Sequence, residues 1–327
     1  MTIVDWRTCA HHEVAPLLAA ETSAWRRDLD WDITEAWRVV EPARRAGQLP
    51  GFIVRDRDGR PAGWTAFLLH RTSLQVLAFV AADADVASRL VEGILASPEA
   101  ARADSAIFCV RGSASPLRGV LAPRGFQVDP YRYLSLDLAA LADPPPPGSR
   151  RNAAAGPIRA WDNDADGFER LCARAYAGSS EIRAFAPSGS AEEWHDYVGS
   201  LLSGPGCGWF RPELSQVIPD RHRAALQGAV FVTDLGLSTA HVAQIVVDPA
   251  HRGAGVATRL LHRAARAAAE RGYVRMTLLV SAANRPAERA YARVGFQERS
   301  GFVVATRAQP TLSTSDALAI GGESTRR

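Results

Sequence analysis

Apolar residues along the second half of the chain recur at two different spacings, and the switches between them predict an ordered series of strands and helices. Ala225–Thr233 (ALQGAVFVT) and His241–Asp248 (HVAQIVVD) are short runs dense in β-branched and aromatic residues, the pattern of buried strands. From Ala254 to Arg271 the spacing lengthens. Val256, Leu260, Ala264 and Ala268 fall on one stripe at i, i+4 intervals, which predicts a long amphipathic helix stopped by Gly272. Arg275–Val280 (RMTLLV) returns to a strand pattern, Pro286–Val294 reads as a short helix stopped by Gly295, and Phe302–Thr306 as a closing strand. Upstream, Ile158–Trp161 is a strand candidate, and Asp162 is placed to cap a helix to about Tyr176. Ala191–Leu202 fits a second helix, and Gly208–Val217 a strand interrupted by Pro212. The alternation is that of a mixed α/β fold, with a crossover between His241–Asp248 and Arg275–Val280.

The first half carries a worn copy of this pattern. Subtracting 170 places Val256, Ala257, Arg259 and Leu260 on Val86, Ala87, Arg89 and Leu90, and Gly295, Phe296 and Gln297 on Gly125, Phe126 and Gln127. One register held over this distance indicates a tandem duplication. The segment 143–156 (DPPPPGSRRNAAAG) favours extended polyproline geometry and reads as a linker. The expected organisation is a first domain over 1–142, the linker 143–156, a second domain over 157–308 and a flexible polar tail over 309–327. A length of 327 residues accommodates two domains.

Composition narrows the chemistry. The chain is 47% hydrophobic and 22% charged with a formal net charge of +3, as expected of a soluble protein with ample core material. All 38 Lys+Arg residues are arginine. That excludes a Schiff-base lysine, a Ser–Lys dyad and a phosphate loop of the GK[ST] type. Cys9, Cys109, Cys172 and Cys207 are scattered without a C-x-x-C pair, so neither a metal centre nor a disulfide framework is expected. No long apolar stretch or leader-like N-terminus is evident, and arginines and carboxylates are interspersed. The expectation is a cytoplasmic protein without membrane or nucleic-acid partners, monomeric or a homodimer.

Val247–Ala257 (VDPAHRGAGVA), between a strand and a helix, is the most informative segment. Pro249 ends strand pairing, Gly253 and Gly255 permit close backbone approach, and the opening helical turn leaves N–H groups without intrahelical partners. Together with the helix dipole these make an anion site suited to a pyrophosphate, and Arg252 would add a charged donor. Read alone, the segment also fits a helix start that needed glycine to turn.

Its context resembles the GNAT superfamily of acetyl-CoA-dependent N-acyltransferases. The family's Q/R-x-x-G-x-G/A signature is matched by Arg252-Gly-Ala-Gly255-Val-Ala257. A second signature is matched by Asn284, Ala287, Tyr291 and the pair Gly295-Phe296, in the same order and at fitting separation. The resemblance covers 158–306 well and 2–138 only as the worn copy, so the expected fold is two tandem GNAT-like domains, the first degenerate. It implies that the strands preceding and following the long helix splay apart at a bulge to admit the pantetheine arm of acetyl-CoA. The backbone of Ile245 and Val247 would bond the arm's amides. Arg252, Gly253, Ala254, Gly255, Val256 and Ala257, with Thr258, would cradle the pyrophosphate, and Asn284 would contact the arm. Arg289 or Arg293 would either approach the adenosine phosphate or lie on a solvated helix face.

The resemblance also supplies catalytic candidates. Tyr291 stands at the position of the family's general acid, where a phenol protonates the departing thiolate, against the alternative of an aromatic that fills space between helix and sheet. His241 occupies the place where histone-type members carry a basic glutamate, eleven positions before Arg252. It is the candidate base, against the alternative of a hydrogen-bonded strand histidine. The glutamate that other members place five positions before the asparagine is Leu279 here. The implied reaction is direct transfer of an acetyl group to a primary amine of a small molecule or peptide, in the second domain and without a metal. A non-catalytic acyl-CoA sensor and a transferase of longer acyl groups are the alternatives. The acceptor pocket is expected between the Ala177–Leu202 helices and the strand around Trp209, with Phe185, Trp194, His195, Trp209, Phe210 and Glu213 as candidate walls. In the first copy the constant offset puts Ala82, Asp85, Ala114 and Leu121 at the positions of Arg252, Gly255, Asn284 and Tyr291. That copy is expected not to bind CoA in the usual way.

Overall fold

The computed structural model describes residues 1–112, 114–141, 156–204, 206–220 and 225–308. Apart from Gly156, the expected linker and the expected tail lie outside the described residues. The first half contributes β1 (Thr2–Asp5), α1 (His11–Leu29), α2 (Thr34–Arg45), β2 (Gly51–Arg55), β3 (Pro61–His70) and β4 (Ser73–Ala81). It continues with α3 (Ala84–Leu95), α4 (Pro98–Ala101), β5 (Ser105–Arg111), α5 (Ala114–Leu121) and β6 (Gln127–Asp137). The second half contributes β7 (Arg159–Ala160), α6 (Ala165–Tyr176), α7 (Ala191–Ser203), β8 (Trp209–Phe210), β9 (Gln216–Pro219) and β10 (Leu226–Asp234). It ends with β11 (Thr239–Val247), α8 (Val256–Ala269), β12 (Arg275–Ser281), α9 (Arg285–Val294) and β13 (Gln297–Ala308).

These elements follow the sequence pattern closely where the signals are local. The stripe of Val256, Leu260, Ala264 and Ala268 is buried against the sheet, and Gly295 ends α9 in the left-handed region at φ 109°. β13 begins at Gln297 rather than Phe302, and two further boundaries differ. Asp164 rather than Asp162 caps α6, its carboxylate accepting from the Gly167 N–H at 2.8 Å, so the helix begins at Ala165, two residues later than the Asp162 cap implies. Pro212 divides the expected Gly208–Val217 strand into β8 and β9, since a proline there cannot donate to the ladder.

All strands among the described residues form one mixed sheet of order β1-β2-β3-β4-β5-β13-β6-β12-β11-β10-β9-β7, with β8 on β10. The two halves therefore exchange their final strands. β12 of the second half pairs along its length with Tyr131–Asp137 of β6 from the first, and β13 of the second half pairs with β5 of the first. β6 and β13 pair with each other and form the seam. Leu134 and Leu136 of β6, with Leu138 just beyond it, are buried in the core of the second half beneath α8 and α9, while Val303 and Ala305 of β13 are buried in the core of the first beneath α3 and α5. On the opposite face, Trp31, Ile33, Tyr133, Leu235 and Phe302 bring both halves into one cluster.

The duplication is visible in three dimensions. A Cβ on Gly228 would meet Val256 Cγ1 at 2.8 Å, and one on Gly63 would meet Val86 Cγ1 at 2.5 Å. In both halves, then, the helix after the hairpin presses its first valine onto a strand position that only glycine can occupy. The offset is not constant, however. Thr239 faces Arg275 as Ser73 faces Ser105, so β11 aligns with β4 at a shift of 166 and the segments after the helix align at 170. The strand-to-helix turn of the first half is shorter by that difference of four. Arg252 has no counterpart there, which corrects its assignment to Ala82.

Candidate active site

The site begins where β11 and β12 part. The two strands pair in parallel over Thr239–Val242 and Arg275–Leu278 only, although each continues beyond. The register of β10 against β11 shifts at this point, with Phe231 opposite Gln244 and Val232 opposite Val242, so Ala243 is the extra residue of a bulge. The Asp248 N–H donates to the Gln227 carbonyl of β10 at 2.9 Å. The two-residue alternation then directs the amides of Ile245 and Val247 away from β10 and into the gap. The Ile245 N–H is met there by the Gln244 side-chain carbonyl at 3.1 Å. Gln244 is itself held by the hydroxyls of Tyr176, which donates to it at 3.1 Å, and Tyr197, which accepts from it at 2.8 Å.

At the outer end of the gap stands the head of α8. Gly253 and Gly255 both adopt φ +76°, a conformation costly for any residue with a Cβ. Gly255 is the N-cap, and no side chain caps this helix, so the N–H groups of its first turn are free to meet an external acceptor. A Cβ on Gly253 would meet nothing within 4 Å, which leaves open space over the turn. Asp248 steadies the approach by accepting from the Ala250 N–H at 3.0 Å and pairing with Arg174 at 2.9 Å. One amino group of Arg252 donates to the Ala175 carbonyl at 2.6 Å, tying the loop to the end of α6. This geometry fits an incoming pyrophosphate: Gly253, Ala254, Gly255 and Val256 offer backbone, with Ala257 and Thr258 in the same turn. The first half shows the contrast. The Asp83 carboxylate accepts from the Val86 N–H at 2.9 Å, closing the head of α3 with the protein's own anion.

At the inner end, α9 presents Tyr291. Its ring is buried against Phe296 at 6.0 Å. Burial, with the nearby charge of Glu181, pushes its phenol above the usual range, so the hydroxyl holds its proton at neutral pH. Asn284 caps α9, its side-chain carbonyl accepting from the Ala287 N–H at 3.2 Å, while its amide donates to Glu181 at 3.3 Å. Glu181 lies in the short turn Ser180–Ala184 and is half-buried. Burial raises its pKa against the lowering effects of Asn284 and Arg252, and the charge of Asp129 adds to the rise. Burial and Glu181 likewise push up the phenol of Tyr131, which β6 brings from the first half. The seam thus places residues of one half at the site of the other.

His241 is placed differently from an accessible base. It is 2% exposed, its Nδ1 lies 2.9 Å from the Thr277 hydroxyl, and its ring packs against Trp31 and Tyr133 at 5.5 and 6.1 Å. Burial pulls its pKa down to about 3, so the imidazole is neutral and weakly basic at physiological pH. Glu181 is the carboxylate at the site that sequence reasoning passed over, since no motif surrounds it. Its one signal was its position within the stretch expected to form the acceptor pocket. Of the other expected walls, Phe185 and Trp194 cluster with Tyr176 and Tyr197, and Phe210 packs on Phe231. His195 points outward to Glu169 at 3.0 Å, Glu213 is exposed, and Trp209 borders a different cavity. Among the described residues no group of His, Cys, Asp and Glu is arranged to hold a metal, and no helix is long and apolar enough to cross a membrane.

Residues 191–296 match the family model described as acetyltransferase (GNAT) family. The chain matches no curated protein. Among solved structures it is similar to a GCN5-related N-acetyltransferase from Sphaerobacter thermophilus, with 18% identity, coverage of 95% of this chain and 97% of that one, and a TM-score of 0.65. It is also similar to a tandem GNAT protein from the clavulanic acid biosynthesis pathway, with 16% identity, coverage of 80% and 84%, and a TM-score of 0.51. Residues 191–296 thus carry a GNAT-type domain, and the chain shares its fold with one tandem GNAT protein over 80% of its length.

Proposed function

We propose that this GNAT protein transfers an acetyl group from acetyl-CoA to a primary amine, using the site between β11 and β12 of its second half. The observation that carries the reading is the uncapped glycine turn at the head of α8, opening onto a gap where the amides of Ile245 and Val247 stand unpaired with β12. Bound acetyl-CoA would supply an activated thioester carbonyl. The first turn of α8 holds the pyrophosphate by backbone donors and the helix dipole. Ile245 and Val247 hold the amide arm as a strand partner would, with the side chain of Gln244 yielding the Ile245 N–H.

At the inner end Glu181 accepts a proton from the attacking amine, and the Tyr291 hydroxyl gives one to the departing sulfur. A carboxyl held above its usual range is a better base than an exposed one, and a buried phenol keeps the proton it must donate. Glu181 takes the role expected of His241, whose burial leaves it a poor proton acceptor.

The reading is tested by measuring thiol release from acetyl-CoA with purified protein across amine classes. Release with at least one amine is expected, whereas none with any class would leave a non-catalytic acyl-CoA-binding protein. Tyr291→Phe is expected to lower kcat by roughly 10²–10³-fold while preserving the rise in Tm caused by acetyl-CoA. An unchanged kcat would move the donor elsewhere. Glu181→Gln addresses the base. The rate of the unsubstituted enzyme falls as pH drops through the pKa of Glu181, because only the carboxylate accepts a proton. In the variant kcat is lower and that limb disappears from the pH profile, and its persistence would assign it to another group.

A further inference from the structure

The first half keeps the architecture of a ligand site although it has lost the anion-binding turn. β4 and β5 pair only over Ser73–Val76 and Ser105–Phe108, and the register of β3 against β4 shifts so that Leu77 is the extra residue of a bulge. Beyond it the strands part as β11 and β12 do. A cavity of about 480 Å³ opens there, with Leu77 and Cys109 on its floor and Trp25, Trp31 and Trp37 on its wall. The second half closes it with Trp209 and the hairpin Asp234–Gly236. Of the seven large apolar side chains exposed among the described residues, Val39, Leu77 and Trp209 all border this cavity. Such clustering marks a binding site rather than scattered surface apolarity.

The charges at its edge select the ligand. Glu21, Asp32, Glu35 and Asp234 line the cavity, against the single guanidinium of Arg111, which pairs with Asp28 outside the lining at 2.7 Å and with Glu21 at 3.7 Å. The arginines that pair with Asp32, Glu35 and Asp234 (Arg26, Arg38 and Arg211) stand outside the lining. Asp83 closes the head of α3, so a phosphorylated ligand has no anchor. Aromatic faces with carboxylates around them favour a cation.

We propose that this cavity binds a small organic cation with an apolar body, an aromatic or aliphatic amine whose ring or chain lies among the tryptophans and whose ammonium faces the carboxylates. Calorimetric titration of the full chain with 2-phenylethylamine, 2-phenylethanol and 3-phenylpropionate tests this. The amine is expected to bind, and the carboxylate at least tenfold more weakly. Leu77→Trp fills the cavity from an exposed bulge position and is expected to weaken amine binding at least tenfold, without altering the Tm shift caused by acetyl-CoA. Glu35→Gln, on the exposed side of α2, is expected to weaken binding of the amine but not of the alcohol. Gly255→Glu is expected to retain amine binding, which separates this cavity from the acetyl-transfer site. Absence of binding at millimolar amine, equal affinity for the carboxylate, or undiminished binding by a folded Leu77→Trp protein would overturn the proposal. If Leu77→Trp does not fold, equal amine affinity in Glu35→Gln and the unsubstituted protein overturns it instead.

Discussion

Gly255→Glu is expected to abolish the stabilisation of this protein by acetyl-CoA. A ligand at a hundred times its Kd raises stability by about 2.7 kcal/mol, which is several degrees in Tm. The variant is expected to show no shift at millimolar acetyl-CoA while retaining its circular dichroism spectrum. Two effects act together. Gly255 sits at φ +76°, where a side chain costs roughly 1–2 kcal/mol. The larger effect is electrostatic: a carboxylate about 4 Å from a phosphate charge is opposed by about 4 kcal/mol near a protein surface, close to a thousandfold in affinity. The glutamate would also cap the free N–H groups of α8, as Asp83 already does at the head of α3. Gly255→Ala separates the two effects, since it carries the backbone cost without the charge and is expected to keep a reduced shift. The fold should survive either change, because Gly255 is exposed and outside the core. A full shift in a folded Gly255→Glu protein would remove the α8 turn from the site.

The same turn shows what a sequence makes legible. Left-handed glycines, a strand ending at a proline and an i, i+4 stripe are local signals, and each was sufficient to place the loop and α8 to within a few residues. Contacts across the seam had no such signal. His241 lies in a run whose alternation marks one buried face, but its neighbours Trp31 and Tyr133 come from the other half of the chain. Glu181 becomes a candidate base only because Asn284, Tyr291 and Tyr131 converge on it from α9 and β6. The constant offset concealed the shorter turn of the first half. A repeat aligned on its best-matching helix absorbs a four-residue deletion just upstream without any visible mismatch.

The strand exchange was hidden for a related reason and has a large consequence. β6 and β13 are copies at the shift of 170, so either could complete either sheet by its own pattern. The choice is made by packing, and it makes the two halves mutually dependent. If the chain is divided between Leu141 and Gly156, a fragment beginning at Gly156 lacks β6, leaving one edge of β12 unpaired and exposing the core that Leu134, Leu136 and Leu138 fill. Burying each of these leucines is worth about 1.5–3 kcal/mol, so their joint loss rivals the roughly 5–15 kcal/mol by which a domain is stable. The first fragment takes β6 with it but loses β13, and with it Val303 and Ala305. Neither fragment is expected to be soluble and folded when expressed alone. Expressed together, they are expected to co-purify as a one-to-one complex that recovers acetyl-CoA binding. A second-half fragment with the circular dichroism and acetyl-CoA response of the whole chain would show that β6 contributes little and that the exchange does not couple the halves.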